Sequence, residues 1–86
     1  MVEKTLNTAF GGYLKSLRKA RQAKDKERYS LRSVAGRIGM DHGNLSRIES
    51  GEVIPTDKTL TNLATDLGED PDVMFAATGR VAGDLQ

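Results

Sequence analysis

Four glycines each follow a segment whose apolar residues recur every three or four positions. They are Gly39, Gly51, Gly68 and Gly79. This pattern is typical of short amphipathic helices that end in a left-handed residue, a conformation that glycine adopts with little strain. Residues that favour helix starts precede the same segments at Ser30, Asp41, Thr56 and Asp70. The chain is therefore constrained to a series of short helices.

The sequence predicts five helices, and no segment alternates with the two-residue period of a strand. The expected ranges are about Thr8 to Ala23, Leu31 to Ile38, His42 to Ser50, Asp57 to Leu67, and Pro71 to Thr78. Helices this short are unstable alone, so tertiary packing must hold them. We expect an all-α fold, a compact five-helix bundle forming one domain over residues 1–86, with its core at about 8–79 and a short C-terminal tail at 80–86.

The expected core is built mainly from aliphatic residues, because the 86 residues include two Phe, two Tyr and no Trp. Its predicted members are Phe10, Leu14, Leu17, Leu31, Val34, Ala35, Ile38, Leu45, Ile48, Leu60, Leu63, Ala64 and Leu67. No run of 18 or more apolar residues is present, and the N-terminus lacks the apolar core of a signal peptide, which favours the cytoplasm. With no Cys and one His, neither a disulfide nor a metal site is expected, and we expect no cofactor.

The net charge of +1 hides a strong asymmetry along the chain. Residues 1–48 hold eleven Lys or Arg and four Asp or Glu, for a net charge of +7, whereas residues 49–86 have a net charge of −6. Such asymmetry indicates a polyanionic partner for the basic half. A solvated basic surface without a partner is the alternative, and charge alone leaves both open.

Residues 31–50 are predicted to form two helices that meet at a steep angle around Gly39. Close crossing requires a small residue on the first helix, and Ala35 supplies it. The apolar residues between the helices are Val34, Ile38, Met40, Leu45 and Ile48. The residues left facing away from the core are His42, Gly43, Asn44, Ser46 and Arg47. This spacing is typical of a helix-turn-helix, whose second helix enters the major groove of DNA.

The stretch SLRSVAGRIGMDHGNLSRIESGEVIP, residues 30–55, resembles the phage-repressor and Cro type of helix-turn-helix, also called the XRE type. YLKSLRKAR at 13–21 is similar to that family's first helix, and TLTNLATDLGEDPDVMFAATG at 59–79 to its fourth and fifth. The resemblance implies a lambda-repressor-like bundle with the helix-turn-helix in helices 2 and 3. Two departures stand out: QAKDKERY at 22–29 lengthens the first connection, and Leu31 occupies a position where the family commonly has a phosphate-contacting Gln. Arg32, Arg28 or the backbone N–H groups of the helix start are its candidate replacements.

The resemblance implies a transcription regulator, with repression the expected role, that binds double-stranded DNA as a homodimer. The candidate DNA contacts are Arg28, Ser30, Arg32, His42, Gly43, Asn44, Ser46 and Arg47. Arg47 is suited to guanine O6 and N7, and Asn44 to adenine or to phosphate. Gly43 costs about 1 kcal/mol of helix stability relative to Ala. Either close approach to DNA or the absence of any need for a side chain explains it.

Further phosphate candidates are Lys24, Lys26 and Arg37, each of which is alternatively a solvated surface cation. The resemblance also implies an internal ion pair between Arg18 and Glu49. The dimer candidates are Val73, Met74, Phe75 and Val81, some of which must complete the core. No nucleophile–base pair or metal cluster is visible, so we do not expect an enzyme. The main alternative function is an antitoxin or a protein-interaction module that uses the same fold to bind a protein partner.

Overall fold

The computed structural model describes the backbone of residues 2–79 and the side chains of residues 8–79. The helices are α1 (Val2–Gln22), α2 (Leu31–Arg37), α3 (His42–Glu49), α4 (Asp57–Leu67) and α5 (Pro71–Ala77). No strand occurs within residues 2–79, and the predicted all-α, five-helix bundle is confirmed. None of the described helices has the length and apolar character needed to cross a membrane.

The helix starts and ends follow the predicted capping residues. Side chains of Ser30, Asp41, Thr56 and Asp70 each accept a hydrogen bond from a backbone N–H in the first turn of α2, α3, α4 and α5 respectively. Each of the four predicted glycines has a positive φ, between 73° and 85°. The local signals therefore determine the ends of the helices, as expected for caps that satisfy otherwise unpaired backbone groups.

The clearest difference from prediction is at α1, which begins at Val2 and not near Thr8. Residues 2–7 contain no Gly or Pro, so nothing in that stretch interrupts helical hydrogen bonding. Helices α2, α3 and α5 each end one residue before the predicted position, because Ile38, Ser50 and Thr78 act as their C-caps.

The core lies between α1, α3 and α4 and is closed by α2 and α5. Its buried apolar residues are Phe10, Leu14, Val34, Ala35, Leu45, Ile48, Leu60, Leu63, Ala64, Leu67 and Met74. Leu17, Leu31 and Ile38, also predicted to be buried, are half-buried at its edge. Both α1 and α2 pack against α3, whereas α5 packs mainly on α4. The third helix is therefore fixed from two sides.

Two polar contacts join α1 to the C-terminal part of the domain. The Arg21 Nε donates to the carbonyl oxygen of Leu67 at 2.8 Å, which caps the end of α4. The Tyr13 hydroxyl donates to Glu69 Oε2 at 3.2 Å. Burial, and after it the neighbouring Glu69 carboxylate, raises the pKa of the Tyr13 hydroxyl because both disfavour the phenolate.

Candidate nucleic-acid interface

Helix α3 has one buried face and one exposed face. Leu45 is 0% exposed and Ile48 is 2% exposed, so these two residues attach the helix to the core. The side chains of His42, Asn44, Ser46 and Arg47 are all exposed. The structure thus brings four of the predicted DNA contacts together on one surface.

The turn between α2 and α3 is closed by the backbone. Gly39 has φ 73°, and the Met40 N–H donates to the carbonyl oxygen of Ala35 at 2.9 Å. This is the hydrogen bond of a Schellman motif, which reverses the chain tightly at a helix end. Ala35 is 1% exposed, consistent with its predicted place at the helix crossing.

The end of α3 is held directly against α1 at Gly11, within α1, and at Gly51, which follows the C-cap of α3. A Cβ added to Gly11 would lie 2.6 Å from the Ile48 carbonyl oxygen and 2.8 Å from the Glu49 carbonyl carbon. A Cβ added to Gly51 would lie 2.8 Å from the Thr8 Cα. The two backbones therefore approach so closely that neither position has room for a side chain.

A buried ion pair fixes the same junction. The Arg18 Nε and Nη2 donate to the two carboxylate oxygens of Glu49 at 2.7 and 3.0 Å, and the residues are only 5% and 9% exposed. The Arg18 Nη1 also donates to the Tyr29 carbonyl oxygen at 3.2 Å. The pair implied by the resemblance is thus present in bidentate geometry, and it also holds the chain just before α2. Bidentate pairing of this kind fixes orientation as well as charge.

Two of the exposed α3 side chains are hydrogen-bonded to each other. The Arg47 Nη1 donates to Asn44 Oδ1 at 3.2 Å. Asn44 therefore uses its acceptor toward Arg47 and directs its two amide N–H donors elsewhere. The orientation of the Asn44 amide consequently depends on Arg47.

A local reason for Gly43 emerges at the start of α3. The Asp41 side chain caps the helix by accepting from the Gly43 N–H at 2.9 Å, and a Cβ on Gly43 would lie 2.8 Å from the same carboxylate oxygen. A side chain at position 43 would therefore require the exposed Asp41 carboxylate to shift, which is a small displacement for the end of a flexible side chain. This contact is a minor disadvantage of a side chain at position 43, and both reasons that the sequence suggested for the glycine stay open.

The geometry of α1 to α5 agrees with the comparison against models of protein families, in which residues 9–76 match a helix-turn-helix domain. The chain belongs to this helix-turn-helix domain family. The match runs from α1 into α5 and so includes all or part of each described helix. Comparisons with curated proteins and with solved structures gave no match. In a helix-turn-helix domain the second helix of the motif is the DNA-reading element, and here that helix is α3.

Some of the predicted phosphate contacts are exposed cations, whereas others are already hydrogen-bonded within the domain. Arg28 and Arg32 are exposed near the start of α2, whereas the half-buried Ser30 hydroxyl is engaged by Ser33 as the helix cap. Arg37 was a phosphate candidate, but its Nε and Nη2 bind the two oxygens of Asp66 at 2.6 and 3.0 Å. This hydrogen bonding raises the pKa of Arg37 above its usual value. Arg37 therefore joins α2 to α4.

The dimer candidates are not all on the surface. Met74 is 0% exposed and belongs to the core, because α5 lies on α4 with this side chain inward. Phe75 is half-buried against the same core, Val73 is 48% exposed, and Val81 lies outside the described residues. Sequence reasoning missed Val53 and Ile54, which are 38% and 48% exposed in the loop after α3. Their signal was the apolar pair directly before Pro55 in an otherwise polar loop.

Proposed function

We infer that this protein is a sequence-specific regulator of transcription that binds double-stranded DNA, and we propose that it acts as a homodimeric repressor. The proposal depends on the polar side chains that are exposed on α3, while buried Leu45 and Ile48 attach this helix to the core. The exposed polar residues are His42, Asn44, Ser46 and Arg47. An α-helix fits the major groove, where polar side chains distinguish base pairs by their hydrogen-bonding groups.

The proposed mechanism is occupancy, with no catalytic step. Arg28, Arg32 and the N-terminal end of α2 contact phosphates, which sets the register of the domain without reading sequence. Arg47 then binds guanine O6 and N7, and Asn44 contacts the neighbouring base through its amide donors. Bound protein blocks access of polymerase to the site.

Homodimerisation is proposed because a single α3 reads few base pairs. Two copies related by a two-fold axis would place their α3 helices about 34–36 Å apart, one turn of DNA, and would require a roughly palindromic site. Val73 is the described dimer candidate that remains exposed on α5. Val73→Asp is therefore expected to weaken self-association, measured by sedimentation equilibrium, while leaving the fold intact.

The proposal is tested by selecting binding sites from randomised duplexes at two salt concentrations and sequencing the bound fraction. We expect an enriched, roughly palindromic sequence at both concentrations. Uniform, weak binding that disappears at moderate salt would contradict sequence-specific regulation and would favour the protein-interaction module. The control is a randomised single-stranded pool, which should give no enriched sequence.

A substitution in α3 then tests how the bases are read. Arg47→Ala is expected to cost about 1–3 kcal/mol of binding free energy on the selected site and to relax the preference at its base position. Because Arg47 also orients the amide of Asn44, the preference at a second, adjacent position should change as well. The matched control is Lys19→Ala, which removes one exposed cation from α1. An equal loss of affinity for all sequences would make Arg47 a phosphate contact.

A further inference from the structure

The connection between α1 and α2 carries a cationic surface separate from the exposed face of α3. Lys24, Lys26 and Arg28 are exposed there, and they alternate with Asp25 and Glu27. The Asp25 carboxylate is hydrogen-bonded within the connection, since its Oδ1 accepts from the Arg28 N–H at 3.2 Å. Three cations and one uncommitted carboxylate therefore remain for interaction with a partner.

Hydrogen bonds within this connection give it a defined conformation. The Asp25 N–H donates to the Arg21 carbonyl oxygen at 3.2 Å, and the Tyr29 N–H donates to the Asp25 carbonyl oxygen at 3.3 Å. The Gln22 side chain donates to the Lys26 carbonyl oxygen at 3.1 Å. A backbone that is already ordered loses less conformational freedom when its side chains bind a partner.

The position of the connection is fixed relative to α3. The buried guanidinium of Arg18 binds Glu49, the last residue of α3, and also the carbonyl oxygen of Tyr29 at the end of the connection. The Arg28 guanidinium lies 5.7 Å from the centroid of the Tyr29 ring, within the range of a cation–π contact. Docking α3 on DNA therefore also determines where these cations lie.

In a complex docked through α3, that position would lie beside the DNA backbone. In a helix-turn-helix the helix preceding the reading helix crosses the sugar–phosphate backbone, and here that helix is α2. Lys26 precedes Leu31, the first residue of α2, by five residues, a distance of at most about 18 Å even in extended chain. Lys24, Lys26 and Arg28 therefore lie close in sequence to the helix that would cross the phosphates.

The geometry points to a phosphate clamp, in which Lys24, Lys26 and Arg28 bind the DNA backbone beside α2 and outside the groove that α3 reads. The clamp rests on the proposed DNA-binding function, shares Arg28 with the phosphate contacts proposed there, and adds Lys24 and Lys26 to them. It uses three of the eleven Lys and Arg residues in the first half of the chain.

The test compares two charge-matched double variants on the duplex selected above. Lys24→Gln with Lys26→Gln removes two clamp cations, and Lys15→Gln with Lys19→Gln removes two exposed cations from α1. Each phosphate contact contributes about −0.9 to the slope of log Kobs against log salt concentration. The clamp variant should therefore have a slope less steep than wild type by about 1.8, with unchanged base preference and unchanged melting temperature. The α1 variant should retain the wild-type slope.

The outcomes separate the clamp from the proposed function. If the wild-type protein selects a site and both double variants keep its slope, the clamp is wrong and DNA binding stands. If both variants lower the slope equally, the effect is one of net charge, and the clamp is again wrong. If the wild-type protein binds no duplex at either salt concentration, the proposed function fails, and the clamp fails with it.

Discussion

The contact between Gly11 and the end of α3 gives the sharpest prediction about stability. Gly11→Ala would place a Cβ 2.6 Å from the Ile48 carbonyl oxygen, also overlapping the Glu49 carbonyl group, whereas Gly12→Ala meets no atom within 4 Å. Both substitutions lie in α1, so both gain the same helix propensity, about 0.5–1 kcal/mol. The difference between the two variants therefore isolates the cost of the close contact.

The size of that cost follows from the geometry. Ordinary contact begins at 3.4 Å, and the Glu49 carbonyl oxygen lies even closer to the added Cβ than the Ile48 oxygen, so α1 and α3 must separate by about 1 Å at this point to admit the methyl group. Overpacking of a core typically costs about 1–3 kcal/mol. Backbone atoms cannot rotate away as a side chain can, so we expect the upper end of that range. Gly11→Ala should then be less stable than Gly12→Ala by about 3 kcal/mol.

Thermal and urea unfolding of the two variants measure this difference. For a domain of this size, about 1 kcal/mol corresponds to a melting-temperature change of about 4–8 °C. We expect Gly12→Ala to melt slightly above wild type and Gly11→Ala to melt well below it. Gly11→Ala should also bind the selected DNA site more weakly at a temperature where it is fully folded, because α3 is displaced. Equal stability of the two variants would refute the claim that α1 and α3 are in backbone contact.

Further predictions concern single polar groups. Glu49→Ala should lower the free energy of unfolding by about 3–5 kcal/mol because it leaves Arg18 buried without its partner. Replacing both residues by Met should lower it less, and urea unfolding measures the difference. The raised pKa of Tyr13 means that the folded state retains the phenol proton after the unfolded chain has lost it. The resulting contribution to stability is complete below the ordinary tyrosine pKa of about 10 and is lost as the pH rises through the folded-state value. Tyr13→Phe should therefore flatten the alkaline decline in melting temperature. Ser30→Ala should lower the free energy of unfolding by about 0.5–2 kcal/mol through loss of the α2 cap, which urea unfolding measures.

Features that depend on neighbouring residues in the chain could be predicted from the sequence. Capping side chains and left-handed glycines act within one helical turn, so the observed helix ends lie close to the predicted ones except at the start of α1. The exposed face of α3 was predictable for the same reason, since Leu45 and Ile48 determine which side of a short helix is buried. The Arg18–Glu49 pair spans 31 positions, and only the family resemblance indicated it.

Apart from the Arg18–Glu49 pair, contacts between distant segments were not predicted from the sequence. Arg37 appeared to be a free cation because Asp66, its partner, lies 29 positions away on another helix. Gly11 contacts a helix that begins more than 30 residues later, yet a usable signal was present. Gly11 shares the helical phase of the buried residues Leu14 and Arg18, whereas Gly12 falls outside it. A glycine inside a helix and on its buried face thus indicates a close backbone approach.

The position of α3 depends on residues that are separate from those proposed to read DNA. The reading side chains lie on its exposed face, while Gly11, Gly51 and the buried Arg18–Glu49 pair fix its last turn to α1. Because Arg18 also binds the carbonyl oxygen of Tyr29, the same guanidinium sets the α1–α2 connection relative to α3. Substitutions of the exposed polar residues of α3 should consequently alter base preference without changing the fold. Substitutions at the junction should alter affinity for every sequence, since they move α3 and the cationic connection together.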